Sequence, residues 1–531
     1  MSVDLEKSRH SSVTDDTSVA PQHQPKQEDS SGFTPEQWAL DKAAVRRLDW
    51  TLLPLCAMIY LLNFLDRSNL SVLFSAFSTS LLLADPPLAA LPTGFRNAYS
   101  GNAKIAGLAV DLHLSSHQYL IAVTCSYVLY IAFEFPSNLL LKRVGANIMI
   151  PAMITSWGLV CCFTGFVQSY HGLVAARLML GLAEGGLFPG LVLYLSCFYR
   201  RRELQTRISL FFAAASLSGA FSGLLAAAII NLDGKGGQEG WRWIFFIEGG
   251  FTVLFGLAIS PFLPARPSKS RFLTPEQAAH IEYRLTLDSP AGSSGFDDAF
   301  SWKEVWNAVR SPHVILLFIA LFCNGTTLYG FSYFTPTVIS TFGYTTVQTQ
   351  LLTVPPYVCA FLLTLFNAWW SDRYGRRGLC AIFTSLLALV GYIMFYKSTV
   401  TGVRYPALFL AITGVYSTSP ALVTWLPNNS AGHYRKATAV ALGFISTNSG
   451  GIASTWLFPQ EQSPHYSTAG KTMIALTVMI IVFCGINLLY LRRENRLKAE
   501  QRAEDERLGK GIVASEWHEK GDWHQNYVYT Y

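Results

Sequence analysis

Runs of about twenty apolar residues constrain this chain more than anything else in it, because that length is what a helix needs to cross a ~30 Å hydrocarbon core. They fall near 51–73, 118–141, 147–167, 171–197, 206–230 and 242–263. After a polar interval they resume near 313–341, 347–370, 378–396, 405–427, 436–458 and 471–491. In lipid each segment must satisfy its own backbone hydrogen bonds, so runs this long fold as helices. The pattern predicts an all-α membrane protein with twelve transmembrane helices in two sets of six.

Charge supports this reading. Only 14% of residues are charged, against about 25% in soluble domains. A net charge of +6 on 531 residues implies no nucleic-acid partner. The basic residues instead cluster in alternate short loops, at Lys142-Arg143, Arg200-Arg201-Arg202, Arg373 with Arg376-Arg377, and Arg435-Lys436. Such loops stay in the cytoplasm, which predicts a multi-pass protein with both termini cytoplasmic; the membrane expected for it is the plasma membrane. Almost all of the nine cysteines fall in apolar runs without a CxxC, as core thiols rather than a disulfide or zinc framework.

These boundaries divide the chain. Residues 1–48 form a cytoplasmic tail with a short helix, opened by a capping box at Thr34-Pro35-Glu36-Gln37. Residues 49–264 form the first set of six spans, 265–312 a cytoplasmic linker, 313–492 the second set and 493–531 a charged cytoplasmic tail. Thr274-Pro275-Glu276-Gln277 repeats the capping box in the linker, predicting an amphipathic helix on the membrane surface.

No motif supports an enzyme, a cofactor or a metal. The one near match to a phosphate-cradling loop, Gly470-Lys471-Thr472, has His465 where the first glycine belongs. Chemistry is left to ionisable residues at membrane depth, which are costly there and mark pathways or partners. Asp66 and Arg67 close the first run. Either they snorkel to the interface, or Arg67 lines a central cavity and meets an anionic substrate. Glu134, Arg177, Glu184 and Glu248 follow. Arg177 and Glu184, seven residues apart, share a helix face. They are either a structural ion pair or, with Asp66 and Glu134, a proton-coupling set. The second six spans have almost no buried charge. Their amide and aromatic side chains, Asn324, Tyr329, Tyr333 and Trp425 among them, are candidate substrate contacts.

Particular segments carry a family resemblance. Arg177-Leu-Met-Leu-Gly181 resembles the fourth-span arginine motif of the major facilitator superfamily, and Asp372-Arg373-Tyr374-Gly375-Arg376-Arg377 resembles its cytoplasmic gating motif. The matching first-half loop, LLLKRVGAN (139–147), keeps the basic residues but lacks the aspartate. LLNFLDRSN (61–69), GNAKIAGL (101–108), FEFPSNLLLKRVG (133–145), ARLMLGLAEGGLFPG (176–190) and GWRWIFFIEG (240–249) are similar to the fungal anion:cation symporter branch, the allantoate, nicotinate and pantothenate permeases. The resemblance implies two pseudo-symmetric six-helix bundles around a midplane cavity. It implies proton-coupled alternating access for a small carboxylate, with Arg67 meeting the substrate and Asp372, Arg373 and Arg376 latching the cytoplasmic side. The partners expected are substrate, proton and lipid bilayer, for a monomer. An exporter of a carboxylated metabolite or drug, and a non-transporting nutrient sensor, are the alternative readings. One stretch departs from the family: residues 70–100 separate two segments that are elsewhere contiguous. A translated, unspliced intron and a genuine long outer loop both account for it.

Overall fold

The computed structural model describes residues 33–82, 108, 111–200, 203–204, 206–214, 218, 225, 229, 232, 234–288, 301–340, 342, 346–457, 466–508 and 521–531; within these, the side chains of 67–82, of Tyr333 and of a few other helical positions are outside the description. The Arg67 side chain, most of the 70–100 insertion and most of the fifth predicted span therefore lie outside the described residues.

The first half contains α1 (Pro35–Leu82), α2 (Ser116–Val144), α3 (Ala146–Thr164), α4 (Tyr170–Glu184), α5 (Leu187–Ser196) and α6 (Gly240–Ile259). The linker contributes α7 (Pro275–Asp288) and α8 (Trp302–Arg310). The second half contains α9 (Pro312–Ser340), α10 (Thr346–Tyr374), α11 (Arg377–Lys397), α12 (Thr401–Asn428), α13 (His433–Thr455) and α14 (Ser467–Arg507). Among the described residues, ten helices are long and apolar enough to cross a membrane.

The halves repeat one packing scheme. In the first, α2 packs on α4 and α3 on α6; in the second, α10 packs on α12 and α11 on α14. These are corresponding pairs of a six-helix unit, so the duplication is visible in contacts as well as order. Helices close because small residues face backbone, the device that replaces hydrophobic drive in lipid. A Cβ at Gly181 of α4 would lie 2.0 Å from the Ser126 carbonyl oxygen of α2, and one at Gly325 of α9 would lie 2.3 Å from the Thr447 oxygen of α13. The halves meet where α1 packs on α9 and where α2 and α5 pack on α13.

Two sequence expectations change in detail. The N-terminal helix does not end before the first span: α1 opens at the Thr34 capping box, with Gln37 N–H to Thr34 Oγ1 at 3.3 Å, and runs on unbroken. The linker helix α7 does not lie free on the membrane. Its Arg284, fully buried, bonds both oxygens of Asp41 in α1 at 3.0 and 3.2 Å and also pairs with Glu203. His280 adds a 3.0 Å contact to Asp41. The linker is thus bolted to the first half. We term the end of the molecule bearing this linker, the start of α1 and the C-terminal segment the linker face.

The fourth predicted span is broken. Gly185 and Gly186 separate α4 from α5, with Gly186 at φ 90°, a left-handed conformation that glycine adopts without strain. A Cβ there would lie 2.4 Å from the Ser137 Cβ. Broken helices at membrane depth are sustained only against protein or a wet cavity. This one ends just before Phe188, which faces the space between the halves.

Candidate functional site

α1, α2, α5, α9, α12 and α13 enclose a cavity between the halves of about 30 Å³, room for one or two waters. Asn324 on its wall lies twelve residues into α9, about 18 Å from that helix's start at 1.5 Å per residue. That is near the middle of a ~30 Å core. Aromatic rings close it from both halves. Phe188 of α5 packs against Phe444 of α13 at 4.3 Å and against Tyr60 of α1 at 4.6 Å, and Phe64 stacks on Tyr329 across the interface at 6.5 Å.

Few polar groups face this cavity, and most are held. Asn324 Oδ1 accepts from Ser419 Oγ at 2.6 Å. Tyr329 OH donates to Asn448 Oδ1 at 3.4 Å, and Asn448 Nδ2 donates to Glu134 Oε2 at 3.5 Å. That chain runs from α9 through α13 to α2 and so crosses between the halves; Glu134 is fully buried. Asn63, 3% exposed, lines the cavity, and its Nδ2 has no hydrogen-bond partner among the described residues.

A second ionisable cluster lies behind the cavity, inside the first half. Asp66 Oδ2 accepts from Trp157 Nε1 at 2.6 Å and Oδ1 from Cys161 Sγ at 3.4 Å. Arg177 sits 5.6 Å from the Phe245 ring, and its Nε and Nη2 have no hydrogen-bond partner among the described residues. Asp66, Arg177, Glu184 and Glu248 are all buried. The charges of Glu184 and Arg177 both act on Asp66. None of the four lines the cavity.

The halves also touch at both ends. On the linker face, Asp372 Oδ2 of α10 accepts the Thr206 amide at 2.8 Å and the Thr206 hydroxyl. Beside it Arg207 grips Asp49 of α1 through two bonds of 3.0 and 2.9 Å. At the far end the His117 ring of α2 lies 5.3 Å from Trp456, just past α13. Among the described residues the halves thus touch at both ends as well as around the cavity.

Over the second half's linker face lies a strap, residues 521–531. Arg435 pairs with Asp522 and, at 2.9 Å, with Glu304 of α8. Asn495 and Tyr529 exchange two hydrogen bonds of 2.9 Å. Asn429 Nδ2 donates to the Thr530 oxygen at 2.9 Å, and the Arg377 amide donates to a main-chain oxygen of Tyr531 at 2.6 Å.

The sequence candidates divide accordingly. Asn324 and Tyr329 line the cavity, and Glu134 adjoins it through Asn448. Asp66, Arg177 and Glu184 gather in the second cluster. Trp425 stands apart: fully buried, it donates from Nε1 to the Thr530 oxygen of the strap at 3.0 Å and packs 5.8 Å from His313, away from the cavity wall. The expected latch partners Arg373 and Arg376 are exposed. The guanidinium beside Asp372 is that of Arg377, at 3.6 Å and 4% exposed, because the Gly375 turn (φ 62°) restarts the chain as α11 and carries Arg377 inward. The side chains of Arg67 and Tyr333 lie outside the described residues. Sequence reasoning left Asn63, Ser419, Thr206 and Arg377 out of the candidate set. A helical phase count along α1 reaches Asn63, one turn before Arg67; Arg377 lies in the gating motif beside two other arginines, and no local signal marks Ser419 or Thr206.

Comparison with known proteins agrees with this architecture. The sequence profile of the Major Facilitator Superfamily matches residues 56–455. An uncharacterized transporter of Schizosaccharomyces pombe is 36% identical over 459 residues, covering 86% of this chain and 85% of that one. The high-affinity nicotinic acid transporter of Saccharomyces cerevisiae is 29% identical over 474 residues, 88% of this chain and 82% of its own. Among solved structures, the proton:xylose symporter XylE bound to 6-bromo-6-deoxy-D-glucose superposes with a TM-score of 0.59 at 16% identity, covering 81% of this chain and 94% of that one. Matched across both halves by one profile and sharing the twelve-helix fold, this chain belongs to the Major Facilitator Superfamily of membrane transporters.

Proposed function

We propose that the protein is a proton-coupled secondary transporter of a small organic anion, a carboxylate of the size of nicotinate, working by alternating access. The observation that carries this is the mid-depth cavity on whose wall Tyr329 and Asn448 link the halves to the adjoining Glu134. Asn63 offers an amide donor to a carboxylate, and Arg67 follows it by one turn of α1. Residues 49–264 and 313–492 rock about the cavity, with 265–312 as tether. The basic loops favour a cytoplasmic linker face, and the membrane in this reading is the plasma membrane.

Coupling follows from charge. An ionised Glu134 repels an incoming anion: two unit charges about 6–7 Å apart at an effective dielectric of ~20 interact by roughly 2.5 kcal/mol. That is well over tenfold in affinity. Protonating Glu134 removes the repulsion, so anion and proton load together, and by linkage each favours the other. The same proton weakens the charge-assisted bond from Asn448 and loosens the tie between halves. Behind it, the buried cluster of Asp66, Glu184 and Glu248 with Arg177 is a second place where a proton is taken up. Thr206, Asp372 and Arg377 close the linker face, with Arg373 and Arg376 on its solvent side.

The test is a competition screen in reconstituted vesicles against labelled nicotinate, at outside pH 5 and 7.5. Small monocarboxylates are expected to compete, at least fivefold better at the lower pH, and their amides and neutral sugars are not. Competition by neutral analogues as strong as by carboxylates, at either pH, would remove the anion from the proposal.

A further inference from the structure

A second concavity opens on the linker face, apart from the central cavity and the contacts that close it. It encloses about 560 Å³ between the end of α2, the start of α3, the end of α6 and the first residues of the linker. Four cations line it: Arg143 from the α2–α3 turn, and Arg266, Lys269 and Arg271 from the linker. No carboxylate is among the described lining residues. Glu282, which approaches that segment, accepts from the Ser268 amide at 3.2 Å and is not part of the wall. α3 begins at this pocket with no side-chain cap, so the positive end of a helix of 19 residues adds to the field.

Loop cations alone only report topology. Here cations more than 120 residues apart in sequence surround one cavity, in the size range that holds small ligands. Its rim is greasy: Ile148 and Phe262, 58% and 55% exposed, lie at helix ends where the bilayer interface falls. Walls of one charge beside an apolar, lipid-facing rim fit a ligand with a multiply charged head and an acyl tail.

We propose that this pocket binds the polyphosphorylated headgroup of an inner-leaflet phospholipid. Arg143, Arg266, Lys269 and Arg271 neutralise its phosphates, and the acyl chains leave past Ile148 and Phe262. The leaflet assignment rests on the linker face being cytoplasmic; the binding itself does not, and is measured on purified protein. Occupancy would pin the α2–α3 turn to the root of the linker and fix the first half in the membrane while the second half moves.

The test uses a fluorescent short-chain phosphatidylinositol bisphosphate and the full-length protein in phosphatidylcholine nanodiscs. Saturable binding is expected, weakened at least fivefold in the double variant Lys269→Gln/Arg271→Gln and kept within twofold in Lys269→Arg/Arg271→Lys. Free inositol trisphosphate should compete at least tenfold less well than unlabelled lipid. Phosphatidylserine at matched charge should compete poorly. Unchanged affinity in the neutral double variant, or equal competition by phosphatidylserine, would overturn the site. Equal competition by free inositol trisphosphate would overturn its lipid ligand in favour of a soluble polyphosphate. None of these outcomes bears on whether the central cavity carries an anion.

Discussion

Glu134→Gln is expected to abolish proton-driven accumulation of substrate while leaving substrate exchange across the membrane within about threefold of the unmodified protein. The glutamine keeps an oxygen for Asn448 Nδ2, so the Tyr329–Asn448 link between the halves survives. What it loses is the charge. Without a carboxylate the ~2.5 kcal/mol of anion repulsion no longer alternates with protonation, and apparent affinity stops depending on pH. Exchange needs only binding and rocking, whereas accumulation needs the proton. The measurement is paired: counterflow of labelled substrate, and uptake driven by an imposed pH gradient, in the same vesicles. Loss of both together would mean that Glu134 only holds α2 to α13. Retention of both would mean that the proton is carried elsewhere, with the Asp66 cluster as the next place to look.

Arg435→Ala is expected to have the largest effect on stability. Arg435 is 1% exposed and pairs with Asp522 of the strap, 2% exposed, and with Glu304 of the linker. Removing one member of a buried pair strands the other, at about 3–5 kcal/mol. Thermal unfolding of the purified protein should fall by several °C or more. The double variant Arg435→Met/Asp522→Leu removes both charges and should recover most of the loss, as buried pairs replaced by apolar residues often do. Equal loss in single and double variants, or none in the single, would contradict the assignment. At the strap's other end a main-chain oxygen of Tyr531 accepts from the amide of Arg377, whose guanidinium faces Asp372. A loosened strap should therefore also weaken closure of the linker face.

Much of the architecture is legible in the residues, for reasons that particular helices make plain. Both Thr-Pro-Glu-Gln boxes open helices because hydroxyl and amide side chains reciprocally cap backbone amides three residues apart. The spans are legible because lipid leaves long apolar runs little choice but a helix. Helix phase is not, where a helix is buried all round. From Ala407 to Asn428 nearly every residue of α12 is buried, so no polar face tells which side meets the cavity. Trp425 is aromatic and buried, as a substrate contact would be, yet points to the strap. The break in the fourth span hides among glycines that read equally well as packing positions. Arg377 cannot be told from Arg373 and Arg376 by composition; only the turn at Gly375 separates them. The strap carries no periodicity, and its partners lie up to about 150 residues away, so only the fold brings them together.

Proton movement with the substrate tests the coupling mechanism most directly. Vesicles containing the protein and an internal pH indicator, with equal pH on both sides and the membrane potential clamped, would receive nicotinate or the best competitor from the screen. Entry of the anion down its own gradient is expected to acidify the interior, with protons and anions entering in fixed ratio, and Glu134→Gln is expected to suppress the acidification. Anion entry at the same rate with no change in internal pH would contradict proton coupling and, with it, the role of the carboxylate between the halves.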